Sequence, residues 1–305
     1  MPPKEGFTLG ICATGDSPRL PELVRSMLSE TEPSAASLRK LVVVASACPT
    51  VTIAQLEAIS RRDQRVALVE EERRRGKAEA INRILALTDT PVVVFANADS
   101  HPMPGALRAV VEQLSSDRRA GAVSAMPVPE AGRGLTSALL DFMWNAHNRC
   151  SFTLNHMDIA NHSCDELVAY RMDAIDPLPP DLVNDGAFLA ARARQRGYGV
   201  KVCPSAEVGV ETPRRAMDIV RQRRRILFGH AQVWRKVGSP PKTIESMLFL
   251  SPRIGMKILI RSLATSPRFI AALPAAVVTE VLAAMLSIYD AFTSSTSHVV
   301  WRRFR

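Results

Sequence analysis

The sequence of 305 residues is poor in aromatic side chains, which make up 5% of it, although 47% of its residues are hydrophobic. No basic run is interleaved with aromatic residues that could stack on bases, so we expect no nucleic-acid partner. Internal repeats, low-complexity tracts and glycine-serine linkers are also absent from the sequence. A chain of this length and apolar content can bury a large core, as one domain with an appendage or as two domains.

Cysteine pairs and an apolar leader are lacking as well. The five cysteines are scattered, odd in number and not at the spacing of a zinc site. The first ten residues, MPPKEGFTLG, contain no apolar signal region. We therefore expect a cytoplasmic protein with free, reduced thiols.

Basic residues exceed acidic ones, with 39 Lys and Arg against 30 Asp and Glu and a net charge of +9. Such an excess suits nucleic acid, anionic lipid or phosphorylated substrates. Charge alone does not choose among these ligands, so the choice depends on the motifs.

The first two-thirds of the chain alternates apolar, strand-like runs with helix-like segments. Nearly all-apolar strands separated by single helices predict a mostly parallel sheet with helices on both faces. Ligands of such sheets bind beyond the carboxyl ends of the strands. The predicted strands are residues 7–13, 40–47, 65–71, 91–97 and 120–127, and the polar positions that follow four of them are Asp16, Ser46, residues 73–77 and residues 97–99.

The segment GKAEAIN begins a predicted helix with Gly76 and Lys77. A helix N-terminus that carries a lysine is a natural site for an anion such as a phosphate. An ordinary surface turn has the same local pattern, and the segment alone does not distinguish the two.

Taken in order, the motifs resemble the family 2 glycosyltransferases, which have the GT-A fold. The resemblance extends over about residues 7–234 and comprises ICATGDSPRLPELVRSML, GKAEAIN, NADS, LVAYR, NDGAFLAARARQRGY and RQRRRI, in the order of the family. It implies an α/β, Rossmann-like sheet flanked by helices. It also implies inverting transfer of a hexosyl group from a nucleotide-diphosphate sugar to a hydroxyl acceptor, with Mn²⁺ or Mg²⁺ as cofactor.

The resemblance also implies roles for single residues. Asp185 corresponds to the catalytic base and Asp99 to the metal-binding acid of the NADS motif. Asn97 stands where the family usually has a first acid, which contacts ribose rather than metal, and its amide can still hydrogen-bond to a ribose hydroxyl. Lys77 is expected near the base or the diphosphate. The other expected donor-binding residues are Ala13, Thr14, Asp16, Ser46, Gly76, Ala98, Gln222 and Arg225.

These positions also have plain structural interpretations. Asp185 is a suitable N-cap for the helix that follows it, and Asp99 could cap the turn before the helix near Gly105. His101 is either an extra metal ligand or a solvated loop histidine. The arginines of segment 221–225 either close over the diphosphate or form a solvated basic face.

Two departures from the family pattern limit the inference. After the second predicted strand the family usually supplies an acid to the nucleotide base, but here only Ala45, Ser46 and Cys48 are offered. The choice between uracil and guanine therefore stays open. Ile226 replaces the tryptophan of the Gln-x-x-Arg-Trp motif, which argues against processive polymer synthesis.

Composition and motifs suggest a division of the chain. Residues 1–235 are expected to form the catalytic domain, with a nucleotide-sugar-binding half at 1–130 and an acceptor half at 131–235. Residues 236–305 are expected to form helices that associate with a membrane or with other copies of the chain.

Two C-terminal segments support that expectation. Arg253, Lys257 and Arg261 form one basic stripe beside apolar residues, as in helices that lie on an anionic membrane. A helix that packs on the catalytic domain and leaves a solvated basic face has the same pattern. Segment 269–289 is long enough to span a bilayer, which takes about 20 residues, but Glu280 near its centre is unfavourable unless it is paired. Small residues around Glu280 favour close helix packing, within the protein or between copies. We expect surface attachment rather than a span, with the terminal VVWRRFR at the interface.

The sequence therefore predicts a metal-dependent, inverting glycosyltransferase at the cytoplasmic face of the membrane, acting on a lipid-linked or other membrane-delivered acceptor. A nucleotidyltransferase of similar architecture is one alternative. A catalytically impaired scaffold that binds nucleotide sugars is another, favoured by Asn97, Ile226 and the missing acid after the second strand. A third, nucleic-acid binding through the arginine runs, requires a steep salt dependence.

Overall fold

The computed structural model describes residues 6–15, 17, 19–30, 37–130, 132, 134–293 and 298–300. Apolar, largely buried runs form the strands of one sheet in this part of the chain. The five predicted strands are present, with ends within two residues of those expected. The strands are Phe7–Thr14 (β1), Leu38–Ser46 (β2), Val66–Glu71 (β3), Val92–Asn97 (β4), Ser100–Pro102 (β5), Ala120–Pro129 (β6), Leu167–Arg171 (β7) and Gly199–Val210 (β8).

Helices follow the strands in the first part of the chain and then form the C-terminal part. They are Leu20–Glu30 (α1), Thr50–Arg62 (α2), Lys77–Ala86 (α3), Ala106–Ser116 (α4), Gly134–His156 (α5), Asp185–Gln195 (α6), Ala216–Val237 (α7), Ile244–Leu250 (α8), Pro252–Leu263 (α9) and Pro267–Thr293 (α10). Glycine in a left-handed conformation ends α7 at Gly238, with φ of 80°.

The strands lie in the order β3-β2-β1-β4-β7-β6-β8-β5. β1 to β4 are mutually parallel and β6 is parallel to β8, which confirms the mostly parallel sheet. β7 was not predicted as part of this order, and it runs antiparallel between β4 and β6. Because β7 runs in the opposite direction, its first residues lie at the carboxyl end of β4, beside the NADS motif.

Apolar side chains cover both faces of the sheet. One core contains Met27, Leu56 and Leu114 from α1, α2 and α4, and the other contains Ile84 and Leu189 from α3 and α6. This three-layer arrangement leaves the strand ends free to form a ligand site.

The long apolar helix α10 packs against α5 and α7. Phe269 of α10 lies 5.8 Å from Phe142 of α5 between ring centroids, and the small residues Ala272 and Ala276 are buried beside them. Glu280, the acid of the apolar segment, pairs with Arg223 of α7, with 2.6 Å between Glu280 Oε1 and Arg223 Nε. The small-residue face is therefore packed inside the protein.

The opposite face of α10 is apolar and exposed. Its side chains Val278, Leu282, Met285 and Leu286 are between 37% and 64% exposed. Among the described residues, α10 is the one helix long and apolar enough to cross a membrane, but 28% of its most apolar window is buried in the protein. Length and composition alone make this weak support for a membrane span.

Helix α9 carries the predicted basic stripe on its outer side. Arg253, Lys257 and Arg261 are exposed, whereas Ile258 is buried against the protein. The terminal residues 301–305, with most of the expected aromatic-basic segment, lie outside the described residues.

We expect the Arg223→Ala variant to lose about 2–3 kcal/mol of unfolding free energy, because it leaves Glu280 and Glu245 without their partly buried cation. Urea denaturation followed by circular dichroism measures the loss. Arg221→Ala is the matched control, since Arg221 is an exposed arginine that pairs with Asp218 of the same helix, and it should lose less than about 1 kcal/mol. Equal losses would contradict a stabilising contact between α7 and α10.

Candidate active site

One cavity of about 1080 Å³ opens at the carboxyl ends of β1, β2 and β4 and extends to the C-terminal helices. All of the described residues that the sequence analysis assigned to the site line it. They are Ala13, Thr14, Ser46, Gly76, Lys77, Asn97, Ala98, Asp99, Asp185, Gln222 and Arg225. Asp16 lies outside the described residues.

Lys77 joins two carboxylates across this cavity. Its Nζ lies 2.7 Å from Asp165 Oδ2 and 3.0 Å from Asp185 Oδ2. Close packing of α3 on β1 positions the lysine, because a Cβ atom at Gly10 would come within 2.5 Å of Ile84 Cγ2. Sequence reasoning placed Lys77 near the donor, but its ammonium contacts with Asp165 and Asp185 were not predicted.

Burial and neighbouring charges set the ionisation of this group. Burial opposes the charge of Lys77, but Asp165 and Asp185 outweigh it and raise the pKa of Lys77 well above its usual value. The same ammonium outweighs burial at Asp165 and lowers its pKa. At Asp185, burial dominates and raises the pKa, although Lys77 opposes the rise. Asp185 therefore holds a proton more readily than an ordinary aspartate.

The structure shows which side chains cap the helices that follow the two predicted acids. The side chain of Asn184 caps α6 by accepting from the Ala187 N–H at 3.2 Å, and Asp185 is the first residue of the helix. Helix α4 follows Gly105, and Glu30 Oε1 accepts from the Leu107 N–H in its first turn at 2.9 Å. The interpretation of Asp185 as the cap of α6 is therefore wrong.

A further acid lies against Asn97. Glu166 immediately precedes β7, and its Oε2 accepts a hydrogen bond from Asn97 Nδ2 at 2.9 Å. Burial, Asp165 and Asp99 raise the pKa of Glu166 to about 8. Asp165 and Glu166 were not predicted as site residues, although two consecutive acids before an apolar strand were a usable signal.

An acid also lies beside Ser46, where the second strand lacks one. Ser46 Oγ donates to Glu71 Oε2 at 2.6 Å, and Glu71 is the last residue of β3. Glu71 is buried and pairs with Arg83 at 2.8 Å. Glu71 therefore holds the Ser46 hydroxyl in place from the protein interior.

The arginines of segment 221–225 have separate environments. Arg223 and Arg224 pair with Glu280 and Asp290 of α10. Arg225 lines the cavity and donates to the Val183 carbonyl oxygen at 3.2 Å, and burial lowers its pKa. The run is thus divided between attachment of α10 and the cavity.

The last described residues of the chain reach the donor-side loop. Gly76 has φ of 109°, and a Cβ atom there would lie 3.0 Å from Val299 Cγ1. His298 anchors this segment through a contact of 2.7 Å between its Nε2 and Asp290 Oδ2. Both the backbone conformation and the close approach of Val299 require glycine at position 76.

His101 lies in a separate polar cluster at the sheet edge. Its Nε2 is 3.6 Å from Glu211 Oε1 and 3.9 Å from Glu130 Oε1, and one atom of each side chain could contact a shared cation. Arg19 Nη1 also lies 3.3 Å from His101 Nε2. Of this cluster, Glu211 lines the cavity.

Three histidines line another part of the cavity, edge to face. The ring centroids of His147 and His162 are 5.7 Å apart, and those of His162 and His230 are 5.4 Å apart. Burial lowers the pKa values of His147 and His162 to about 3 and that of His230 to about 4. All three imidazoles are therefore neutral at physiological pH.

The chemistry of the lining fits a hard divalent cation and a proton acceptor. Asp99, Glu166 and Asn97 supply the oxygen ligands that Mg²⁺ and Mn²⁺ prefer. Asp185 is a carboxylate with a raised pKa in the same cavity, as a general base needs to be.

The strand order and the cavity at the strand ends define a GT-A fold, the fold of nucleotide-sugar glycosyltransferases. The sequence matches the family described as "Glycosyltransferase like family 2" over residues 2–229, and the protein belongs to this family. It is therefore a glycosyltransferase by family. No curated protein matches the sequence significantly.

Solved structures confirm the fold. A mannosyltransferase of Pyrobaculum calidifontis in complex with GDP-Man and Mn²⁺ is similar with a TM-score of 0.60 and 22% identity, covering 97% of this chain and 85% of its own. Glucosyl-3-phosphoglycerate synthase of Mycobacterium tuberculosis, in complex with Mn²⁺, UDP and glucosyl-3-phosphoglycerate, has a TM-score of 0.50 and 18% identity. That likeness covers 77% of this chain and 81% of the synthase.

We expect the free energy of unfolding to fall as the pH is lowered from 6.5, the ordinary pKa of histidine, towards about 4.5. The unfolded chain binds protons on the three imidazoles in this window and the folded protein does not, so acid favours unfolding. Each proton taken up contributes ~1.4 kcal/mol per pH unit. Urea denaturation at several pH values measures the slope. His230→Gln should reduce it, and His156→Gln, at an exposed position, should not.

Proposed function

We propose that the protein is a metal-dependent, inverting glycosyltransferase that moves a hexosyl group from a nucleotide-diphosphate sugar to a hydroxyl acceptor. The convergence of Asp99, Lys77 and Asp185 on one cavity, from three distant parts of the sequence, carries this proposal. Family membership supports the use of a nucleotide sugar.

Asp185 is the proposed base. The acceptor oxygen attacks the anomeric carbon, the bond from that carbon to the diphosphate oxygen breaks, and Asp185 receives the hydroxyl proton. The raised pKa of Asp185 favours this proton transfer, because a weaker acid is a stronger base. Lys77, 3.0 Å from Asp185, holds the carboxylate in place and limits the rise.

Asp99 and Arg225 are the proposed partners of the diphosphate side. Asp99 would hold Mn²⁺ or Mg²⁺, which stabilises the negative charge of a leaving diphosphate when bound. Arg225 and Gln222 line the cavity from α7 and could contact the same phosphates. Ala13, Thr14, Ser46, Gly76, Asn97 and Ala98 complete the proposed donor site.

The acceptor is proposed to be lipid-linked or otherwise delivered at the cytoplasmic face of the membrane. Apolar side chains of the C-terminal helices, including Leu248, Val277 and Val281, line the cavity that holds Asp185. The exposed basic stripe of α9 and the exposed apolar face of α10 support attachment to an anionic membrane surface.

A thermal-shift screen of nucleotide sugars, with and without Mn²⁺, tests the donor site and identifies the base. A ligand that binds only the folded state stabilises it by RT ln(1 + [L]/Kd) and so raises the melting temperature. We expect one donor to raise it, and more so with Mn²⁺. The absence of a shift with every donor would contradict the proposal.

Asp185→Asn and Asp99→Asn should each reduce transfer by at least about 100-fold. Release of nucleoside diphosphate from the donor found in the screen, in the presence of membrane lipid extract, measures the rate. Asp181→Asn is the control, because Asp181 is an exposed aspartate of the same loop, 3.1 Å from Lys236. Normal turnover by Asp185→Asn would show that Asp185 is not the base, and donor binding without turnover in the unaltered protein would favour the scaffold alternative.

The membrane proposal is tested by co-sedimentation with phosphatidylglycerol-phosphatidylcholine vesicles. Reversing the charges of Arg253, Lys257 and Arg261 to Glu should weaken partitioning at least about tenfold, since each basic residue near an anionic surface contributes ~1 kcal/mol. The same reversal at Arg25, Arg61 and Arg62 changes the net charge equally on α1 and α2. Equal weakening by both triple variants would contradict a specific role for α9.

A further inference from the structure

The carboxylate of Glu166 lies next to the side-chain amide of Asn97. Ala96 of β4 is paired with Leu167 of β7 in the antiparallel register, so Asn97 and Glu166 face each other across the two strands. The Asn97 N–H donates to the Glu166 carbonyl oxygen at 3.2 Å, and Asn97 Nδ2 donates to Glu166 Oε2 at 2.9 Å. Backbone pairing and the side-chain contact thus fix the carboxylate beside the amide.

The charged side chains around Glu166 form two groups, which are the ion pairs of Lys77 and the acids beside Asn97. Lys77 forms its ion pairs with Asp165 and Asp185, at 2.7 and 3.0 Å. Glu166 and Asp99 line the same cavity beside Asn97. Two carboxylates that converge on one cavity repel each other, and a divalent cation between them removes the repulsion.

We propose that Glu166, which lies beside Asn97, binds the divalent cation of the donor site together with Asp99. The loop before β7 thus contributes a metal ligand at the end of β4. The inference rests on the proposed function, because Asp99 is taken as the metal-binding acid.

Mn²⁺ binding to the full chain, measured without donor by electron paramagnetic resonance of free Mn²⁺, tests the proposal. E166Q keeps the side-chain shape and should weaken Mn²⁺ binding at least about tenfold, because the site loses a charged ligand. The double variant N97D/E166Q returns a carboxylate to β4 and should bind Mn²⁺ within about threefold of the unaltered protein.

The rival cation site at His101, Glu130 and Glu211 provides the control. E130Q should leave Mn²⁺ binding unchanged. Loss of binding in E130Q with normal binding in E166Q would overturn the proposal, and so would normal binding in E166Q alone.

If E166Q does not fold, the Mn²⁺ affinities of N97D and N97D/E166Q are compared instead. N97D should bind Mn²⁺ more tightly than N97D/E166Q if Glu166 is a ligand, and equal affinities would refute that role. Failure of the unaltered protein to bind Mn²⁺ also overturns the inference. The donor screen without Mn²⁺ tests donor binding independently of the metal. Failure of the metal-site inference can therefore be distinguished from failure of the proposed function.

Discussion

The ammonium group of Lys77 holds the two halves of the site together. Lys77 begins α3 in the first half of the chain, whereas Asp165 and Asp185 come from the loop before β7 and from the start of α6. Two carboxylates that share one ammonium group would repel each other without it. The position of α6, and with it of the proposed base, therefore depends on a residue about a hundred positions earlier in the sequence.

An acid lies beside each of the two motif positions that lack one. At the end of β4 the amide of Asn97 is matched by Glu166 from β7, and at the end of β2 the hydroxyl of Ser46 is matched by Glu71 from β3. Glu166 and Glu71 differ in what they can contact. Glu166 lines the cavity and can reach a ligand, whereas Glu71 is buried and paired with Arg83.

The sheet was predictable because its strands are long apolar runs, each followed by an amphipathic helix. The ends of strands, such as that of β4 at Asn97, were predicted correctly for the same reason, because the run of apolar residues stops there. The position of β7 was not predictable, because no local pattern tells that a short strand inserts antiparallel between β4 and β6. Glu166 was missed with it, since its contact with Asn97 exists only across that pairing.

The arginine run of α7 shows why composition alone could not assign its function. Successive helical residues point about 100° apart, so neighbours in sequence face different surroundings. Gln222 and Arg225, three residues apart, share the face that lines the cavity. Arg223 and Arg224 pair with the acids of α10, and Arg223 also lines the cavity. Because Glu280 is paired within the protein, the exposed apolar face of α10 is the part left for a membrane, which favours a helix lying at the surface over a lone span.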